Sequence, residues 1–228
     1  MPVRLAAAAA MLLLAACATA PSTDEAVRFF NDVAFRGAPG GHPMAGRVLA
    51  QSRYSEHRLY RWEEEIRLTV TGPGGPARRQ RVVELFARLA ELTGRPYAIL
   101  DSDPDRANFE VEFVSEDGFL INRTEFVPCY AHTEGGEGKI RSARIEISLE
   151  RPELADYCIA HELMHGFGLA HSNLLPSVLN PTMRRRDPTR WDELVLATLY
   201  DSRLSAGKTR MTELPIARRI IAAALTAP

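Results

Sequence analysis

The sequence predicts a layered α/β or α+β domain. Several short segments alternate apolar and charged residues, which is typical of strands with one buried face. Longer segments carry apolar residues at helical spacing, and the two kinds of segment follow one another along the chain. The 228 residues suit one domain of ordinary size.

The first half of the chain begins with a helix, which a Gly- and Pro-rich stretch ends. The clearest helix of this half has an apolar stripe that includes Val82, Phe86 and Leu89, and Gly94 closes it. In chain order the predicted elements are a helix at 24–36, a strand at 59–70, a helix at 77–92 and strands at 97–100 and 109–114.

The second half has two predicted strands followed by three predicted helices. Its clearest strand places Ile145, Ile147 and Leu149 on one face, with charged residues between them. Pro152 is acceptable in the first turn of the helix that follows. The elements are strands at 126–132 and 143–149 and helices at 152–169, 189–204 and 212–225.

Charge and composition exclude some classes of protein. Lys and Arg total 28 and Asp and Glu total 29, so the formal net charge is -1. A general nucleic-acid binder needs a surplus of cations, so we expect no nucleic-acid partner. Hydrophobic residues make up 46% and charged residues 25%, which is typical of a globular protein.

The N-terminus reads as a secretory signal peptide. Arg4 precedes an uncharged apolar run at 5–16, which is shorter than the roughly 20 residues that span a bilayer. The run ends in Leu-Ala-Ala-Cys17, which resembles the lipobox of bacterial lipoproteins. The resemblance implies that Cys17 is lipidated; the alternative is an ordinary signal peptide. Because no Asp follows Cys17, it further implies an envelope lipoprotein that faces the periplasm, at the outer membrane.

The three cysteines then divide into one for lipid and two others. Cys129 and Cys158 would lie in an oxidising compartment, where an even pair favours a disulfide over two buried free thiols. We therefore divide the chain into a signal peptide at 1–16, the lipidated cysteine with a tether and N-terminal helix at 17–46, and one domain at 47–228.

The segment HELMHGFGLAH contains the candidate metal-binding residues. His161 and His165 are four residues apart, so on a helix they lie on the same face, one turn apart. Gly168 can adopt a left-handed conformation and end the helix, which lets His171 return to the same point. Three protein ligands leave one position open, as in a catalytic zinc site, so we predict one zinc ion. Such a combination arises by chance in about two of a hundred thousand sequences of this composition; the alternative is three incidental histidines.

This segment matches HExxHxxGxxH, the metzincin signature, and the chain resembles those zinc peptidases over roughly residues 60–205. The resemblance implies a metzincin-like α+β fold: a twisted mixed sheet of four to five strands with a long helix behind it, the zinc helix and C-terminal helices. It also implies that Glu162 acts as general base for a zinc-activated water that hydrolyses a peptide bond. By analogy, the substrate would pair antiparallel with an edge strand near 126–132.

The chain departs from the metzincin pattern below the zinc. The family has a methionine in a tight turn there, and the spacing from His171 places Leu179 at that position. Met183 is the nearest methionine. Either Leu179 forms the apolar floor of the site, or Met183 reaches it through a longer turn.

We therefore expect an envelope-anchored zinc metalloendopeptidase. Its partners would be a peptide or protein substrate and, through the lipid, the membrane; the oligomeric state is open. The alternative is a zinc-binding but non-catalytic metzincin-fold binding module. The C-terminal segments LNPTM and RWDELVLATLYDSRLSAGKT also resemble an uncharacterised family of bacterial secreted proteins, and the resemblance suggests that many members lack the full set of zinc ligands.

Overall fold

The structure, a computed structural model, describes residues 22–35, 57–100, 104–115, 119–121 and 125–226. The predicted signal peptide and Cys17 lie outside these residues. Five α-helices are present in the described parts of the chain: α1 Thr23–Ala34, α2 Gly75–Thr93, α3 Pro152–Gly166, α4 Arg190–Leu199 and α5 Arg210–Thr226. The strands are β1 Arg61–Trp62, β2 Ile66–Thr71, β3 Tyr97–Ile99, β4 Phe109–Val114, β5 Phe119–Ile121, β6 Glu125–Val127, β7 Cys129–Gly136 and β8 Lys139–Ser148.

The architecture is mixed α/β, built on a sheet of six strands. Strands β3, β2, β4 and β8 are neighbours in that order and run parallel. The short β1 pairs in parallel with the start of β8. Strand β7 pairs antiparallel with β8 and, among the described strands, with no other. β5 and β6 form a separate hairpin.

The sheet therefore has six strands, against the four to five expected. The predicted strand at 59–70 is two strands, because β1 pairs with β8 whereas β2 pairs with β3 and β4. The glutamates at 63–65 form the connection between β1 and β2. The predicted strand at 126–132 is also divided, at Pro128, which has no N–H for a ladder.

One face of the sheet carries the core and the other meets solvent. On β4, Phe109, Val111 and Phe113 are buried, whereas Glu110 and Glu112 alternate with them on the opposite face. The ring of Phe109 lies 5.2 Å from that of Phe86 on α2 and 5.5 Å from that of Phe167, just after α3. These contacts place α2 and the end of α3 on the same face of the sheet.

Helix α1 belongs to the core. Phe29 and Phe30 are fully buried, and Ser22 with Glu25 forms a capping box at its start. The carbonyl oxygen of Val33 accepts a hydrogen bond of 2.8 Å from the N–H of Ala170, beside His171. α1 thus supports the segment that carries the third histidine.

Two predicted helices are shorter than expected. The helix at 152–169 ends at Gly166, and the helix at 189–204 ends at Leu199. Gly168 has φ of +102°, which no α-helix accommodates, so the first of these must stop before it. Across the described residues, no helix combines the length and the apolar character needed to cross a bilayer.

Candidate metal centre

The three histidines of the motif converge on one point. The Nε2 atom of His161 lies 3.1 Å from that of His165 and 2.9 Å from that of His171. The Nε2 atoms of His165 and His171 are 3.1 Å apart. Helix α3 supplies the first two side chains from one face, and the turn after it returns the third.

Backbone carbonyls fix the tautomers of two of these rings. The Nδ1 of His161 lies 2.6 Å from the carbonyl oxygen of Val178, and the Nδ1 of His165 lies 2.7 Å from that of Leu169. A carbonyl oxygen can only accept, so Nδ1 carries the proton in both neutral rings. Both Nε2 atoms then direct lone pairs at the same point, which is an unfavourable arrangement without a cation between them.

The nitrogens fit a small divalent cation. Ligands at the zinc–nitrogen distance would be about 3.3 Å apart in tetrahedral geometry, close to the separations of these three atoms. Imidazole nitrogen suits zinc among other transition metals. In the described part of the chain, these three residues are the group of His, Cys, Asp or Glu side chains close enough to share one ion.

Gly168 makes the return of the chain possible. At its φ of +102°, an added Cβ would lie 2.4 Å from the carbonyl oxygen of Tyr60 and 3.0 Å from Cδ1 of Ile140. Only glycine combines this backbone conformation with so close an approach. The motif therefore needs glycine here for two separate reasons.

Glu162 lies beside the cluster. Its Oε1 is 3.9 Å from the Nε2 of His161, and the residue is 4% exposed. Burial raises the pKa of its carboxyl to about 8, and burial also lowers the pKa of His161 to about 4. A neutral His161 is the form that binds a metal, and a nearby cation would favour the carboxylate form of Glu162.

The raised pKa of Glu162 predicts that the stability of the metal-free protein depends on pH. Between pH 4.5 and about 8 the folded state binds a proton at Glu162 that the unfolded state does not, so this group destabilises the fold as pH rises. Glu162→Gln removes the effect. We expect the free energy of unfolding of the wild type to fall relative to that of the variant over this range, measured by urea unfolding after chelation. The prediction is contradicted if the free energies of unfolding of the wild type and of Glu162→Gln change equally with pH.

A disulfide joins the edge strand to the helix of the motif. Cys129, the first residue of β7, is bonded to Cys158 of α3, three residues before His161. This is the predicted pair. It fixes the start of β7 beside the middle of α3, about one turn before His161.

The two residues considered for the floor of the site have different positions. The sulfur of Met183 lies 3.9 Å from Sγ of Cys129 and 4.0 Å from Sγ of Cys158, so Met183 packs on the disulfide. Leu179 is fully buried, and its carbonyl oxygen accepts a hydrogen bond from the N–H of Ser172. Leu179 therefore lies in the turn next to the histidines.

Sequence reasoning missed the groups that hold the histidines. The carbonyls of Val178 and Leu169 act through the backbone, so no residue type marks them. Asp192 is fully buried and bonds to the Ser177–Leu179 turn, but its pattern in the sequence reads as an ordinary helix cap. The sequence does contain one indication: the acidic residue three positions after Thr189 is typical of a capping box.

No curated protein matches the chain. Residues 24–218 match one family, which is described as "Protein of unknown function (DUF2927)". That span runs from α1 into α5 and includes the three histidines, Glu162 and both cysteines of the disulfide. Since the match covers most of the 228 residues, the chain belongs to the DUF2927 family.

Proposed function

We propose that this protein is a zinc-dependent endopeptidase with a metzincin-like fold. The observation that carries the proposal is the convergence of the Nε2 atoms of His161, His165 and His171, two of them held as lone-pair donors by backbone carbonyls. Among the described residues no fourth side chain joins the three histidines, and three protein ligands are typical of catalytic rather than structural zinc.

In this proposal the three histidines bind the metal and Glu162 transfers the proton. His161, His165 and His171 would hold zinc, which would supply a Lewis acid and lower the pKa of a water to about 7. Glu162 would accept a proton at its carboxylate and deliver it to the leaving amine. Glu162 is not among the described side chains close enough to share the ion, so its carboxylate suits contact with a water rather than ligation.

The edge strand offers a place for an extended peptide. Among the described strands β7 pairs only with β8, so its other edge can form main-chain hydrogen bonds with a substrate. The disulfide from Cys129 to Cys158 keeps this edge next to α3. We propose that the substrate lies antiparallel to β7 and crosses the histidine cluster. Lipid attachment at Cys17, which would place the protein in the bacterial envelope, belongs to the same proposal.

The proposal is tested by metal content and turnover of the same preparations. Wild type should contain about one zinc per chain and cleave members of a peptide library, and a chelator should abolish cleavage until zinc is restored. His165→Ala should lose most of the metal and the activity. His57→Ala, which replaces an exposed histidine outside both the cluster and β7, is the matched control and should keep both.

Two results would contradict the proposal. If the wild type binds no zinc, the proposed metal site is wrong. If zinc-loaded wild type cleaves no peptide across a broad library, the proposed peptidase activity is wrong and the non-catalytic binding module is favoured.

A further inference from the structure

The carboxylate of Asp192 is fully buried, and the proposed reaction does not use it. It lies in the first turn of α4. Its Oδ1 accepts a hydrogen bond from the Ser177 hydroxyl. Its Oδ2 accepts from the N–H of Val178 at 3.3 Å, from the N–H of Thr189 at 2.8 Å and from the Thr189 hydroxyl at 2.7 Å.

The contacts with Thr189 form a helix-capping box, and the contacts with Ser177 and Val178 go beyond it. The other capping box of the described chain, at the start of α1, makes the difference clear. There, among the described residues, the carboxylate of Glu25 bonds to the N–H and hydroxyl of the adjacent cap residue Ser22, at an exposed position. A cap needs no contact with a distant turn, so the buried contacts of Asp192 call for a separate explanation.

The turn that Asp192 holds contacts two parts of the histidine cluster. The carbonyl oxygen of Val178, whose N–H bonds to Asp192, is the acceptor for Nδ1 of His161. The carbonyl oxygen of Leu179 accepts from the N–H of Ser172, next to His171, at 3.1 Å. A chain of hydrogen bonds thus runs from α4 to His161 and to Ser172, the residue that follows His171.

We propose that Asp192 is a positioning residue of the metal centre. Its carboxylate holds the 177–179 turn so that Val178 keeps the proton of His161 on Nδ1 and leaves Nε2 as the ligand atom. The proposal rests on the proposed metal site and adds to it a residue that contacts neither metal nor substrate. Partners of this kind orient ligands and raise their affinity for the metal.

The test compares zinc affinity in full-length variants by competition with a chelator of known affinity. Asp192→Ala should weaken zinc binding about tenfold or more, as removal of an outer partner of a metal ligand does. Asp192→Asn should recover much of the loss, because the amide oxygen can still accept from Val178. Glu25→Ala, the matched loss of a capping acid, should bind zinc like the wild type.

Two further measurements separate positioning from general destabilisation. Ser177→Ala removes one of the two contacts between Asp192 and the turn and leaves the Val178 contact and the Thr189 cap in place, so it tests the proposal if Asp192→Ala does not fold. It should weaken zinc binding less than Asp192→Ala does. The imidazole NMR spectrum of the zinc-loaded wild type should show a slowly exchanging Nδ1 proton on His161, and in Asp192→Ala that proton should exchange rapidly.

The proposal is overturned if Asp192→Ala and Ser177→Ala bind zinc within twofold of the wild type. It is also overturned if Glu25→Ala weakens binding as much as Asp192→Ala, because the effect would then be one of stability alone. Absence of zinc from the wild type would overturn the metal site itself, a result distinguishable from either of these.

Discussion

Replacing Glu162 with glutamine should lower peptide turnover about a thousandfold, the middle of the range for a lost general base, while zinc content stays at the wild-type level. Glutamine has nearly the same shape, so the buried side chain can keep its place in α3, but it cannot take a proton. Turnover and zinc content are to be measured on the same preparations, with zinc by atomic emission and turnover on the best substrate of a peptide library.

The chain offers a matched control on the same helix. Glu153 is an exposed glutamate in the first turn of α3, and Glu153→Gln should leave turnover unchanged. If Glu162→Gln cleaves as fast as wild type, another group takes the proton. If it loses zinc as well as activity, Glu162 supports the cluster and the effect says nothing about proton transfer.

Removal of the disulfide should lower the free energy of unfolding by about 3.6 kcal/mol. Cys129 and Cys158 are 29 residues apart, and the chain-entropy estimate for a loop of that length gives about this value. The double variant Cys129→Ala/Cys158→Ala should therefore unfold at lower urea concentration. It should also bind zinc more weakly, because α3 loses its covalent link to β7.

A reductant provides the control for this variant. Wild type treated with a strong reductant should approach the stability of the double variant, whereas the double variant should not respond to reductant. Equal sensitivity of both proteins would mean that the reductant acts elsewhere. A double variant as stable as the oxidised wild type would contradict the prediction.

Some helices and strands could be predicted because the spacing of their apolar residues indicates one buried face. The strand predicted at 109–114 coincides with β4, where Phe109, Val111 and Phe113 face the core. The helix predicted at 77–92 lies within α2, which Gly94 ends in a left-handed conformation. Local sequence contains all the information that such elements need.

The elements that were missed depend on partners far along the chain. The division of 59–70 into β1 and β2 follows from pairing with β8 and β4, which no local pattern encodes. The same holds for the site. The three histidines share a motif and could be recognised, whereas the carbonyl of Val178 and the carboxylate of Asp192 reach the cluster only through the folded turn.

The burial of α1 limits how far the domain can lie from a lipid on Cys17. Helix α1 starts at Thr23 and packs in the core through Phe29 and Phe30, so it cannot unwind to lengthen the tether without exposing the core. The residues between Cys17 and Thr23 reach about 20 Å when fully extended. An anchored domain would thus work within a shallow layer above the bilayer. Substrates deeper in the periplasm would have to come to it, and a longer tether inserted before Ser22 would widen the zone in which it can act.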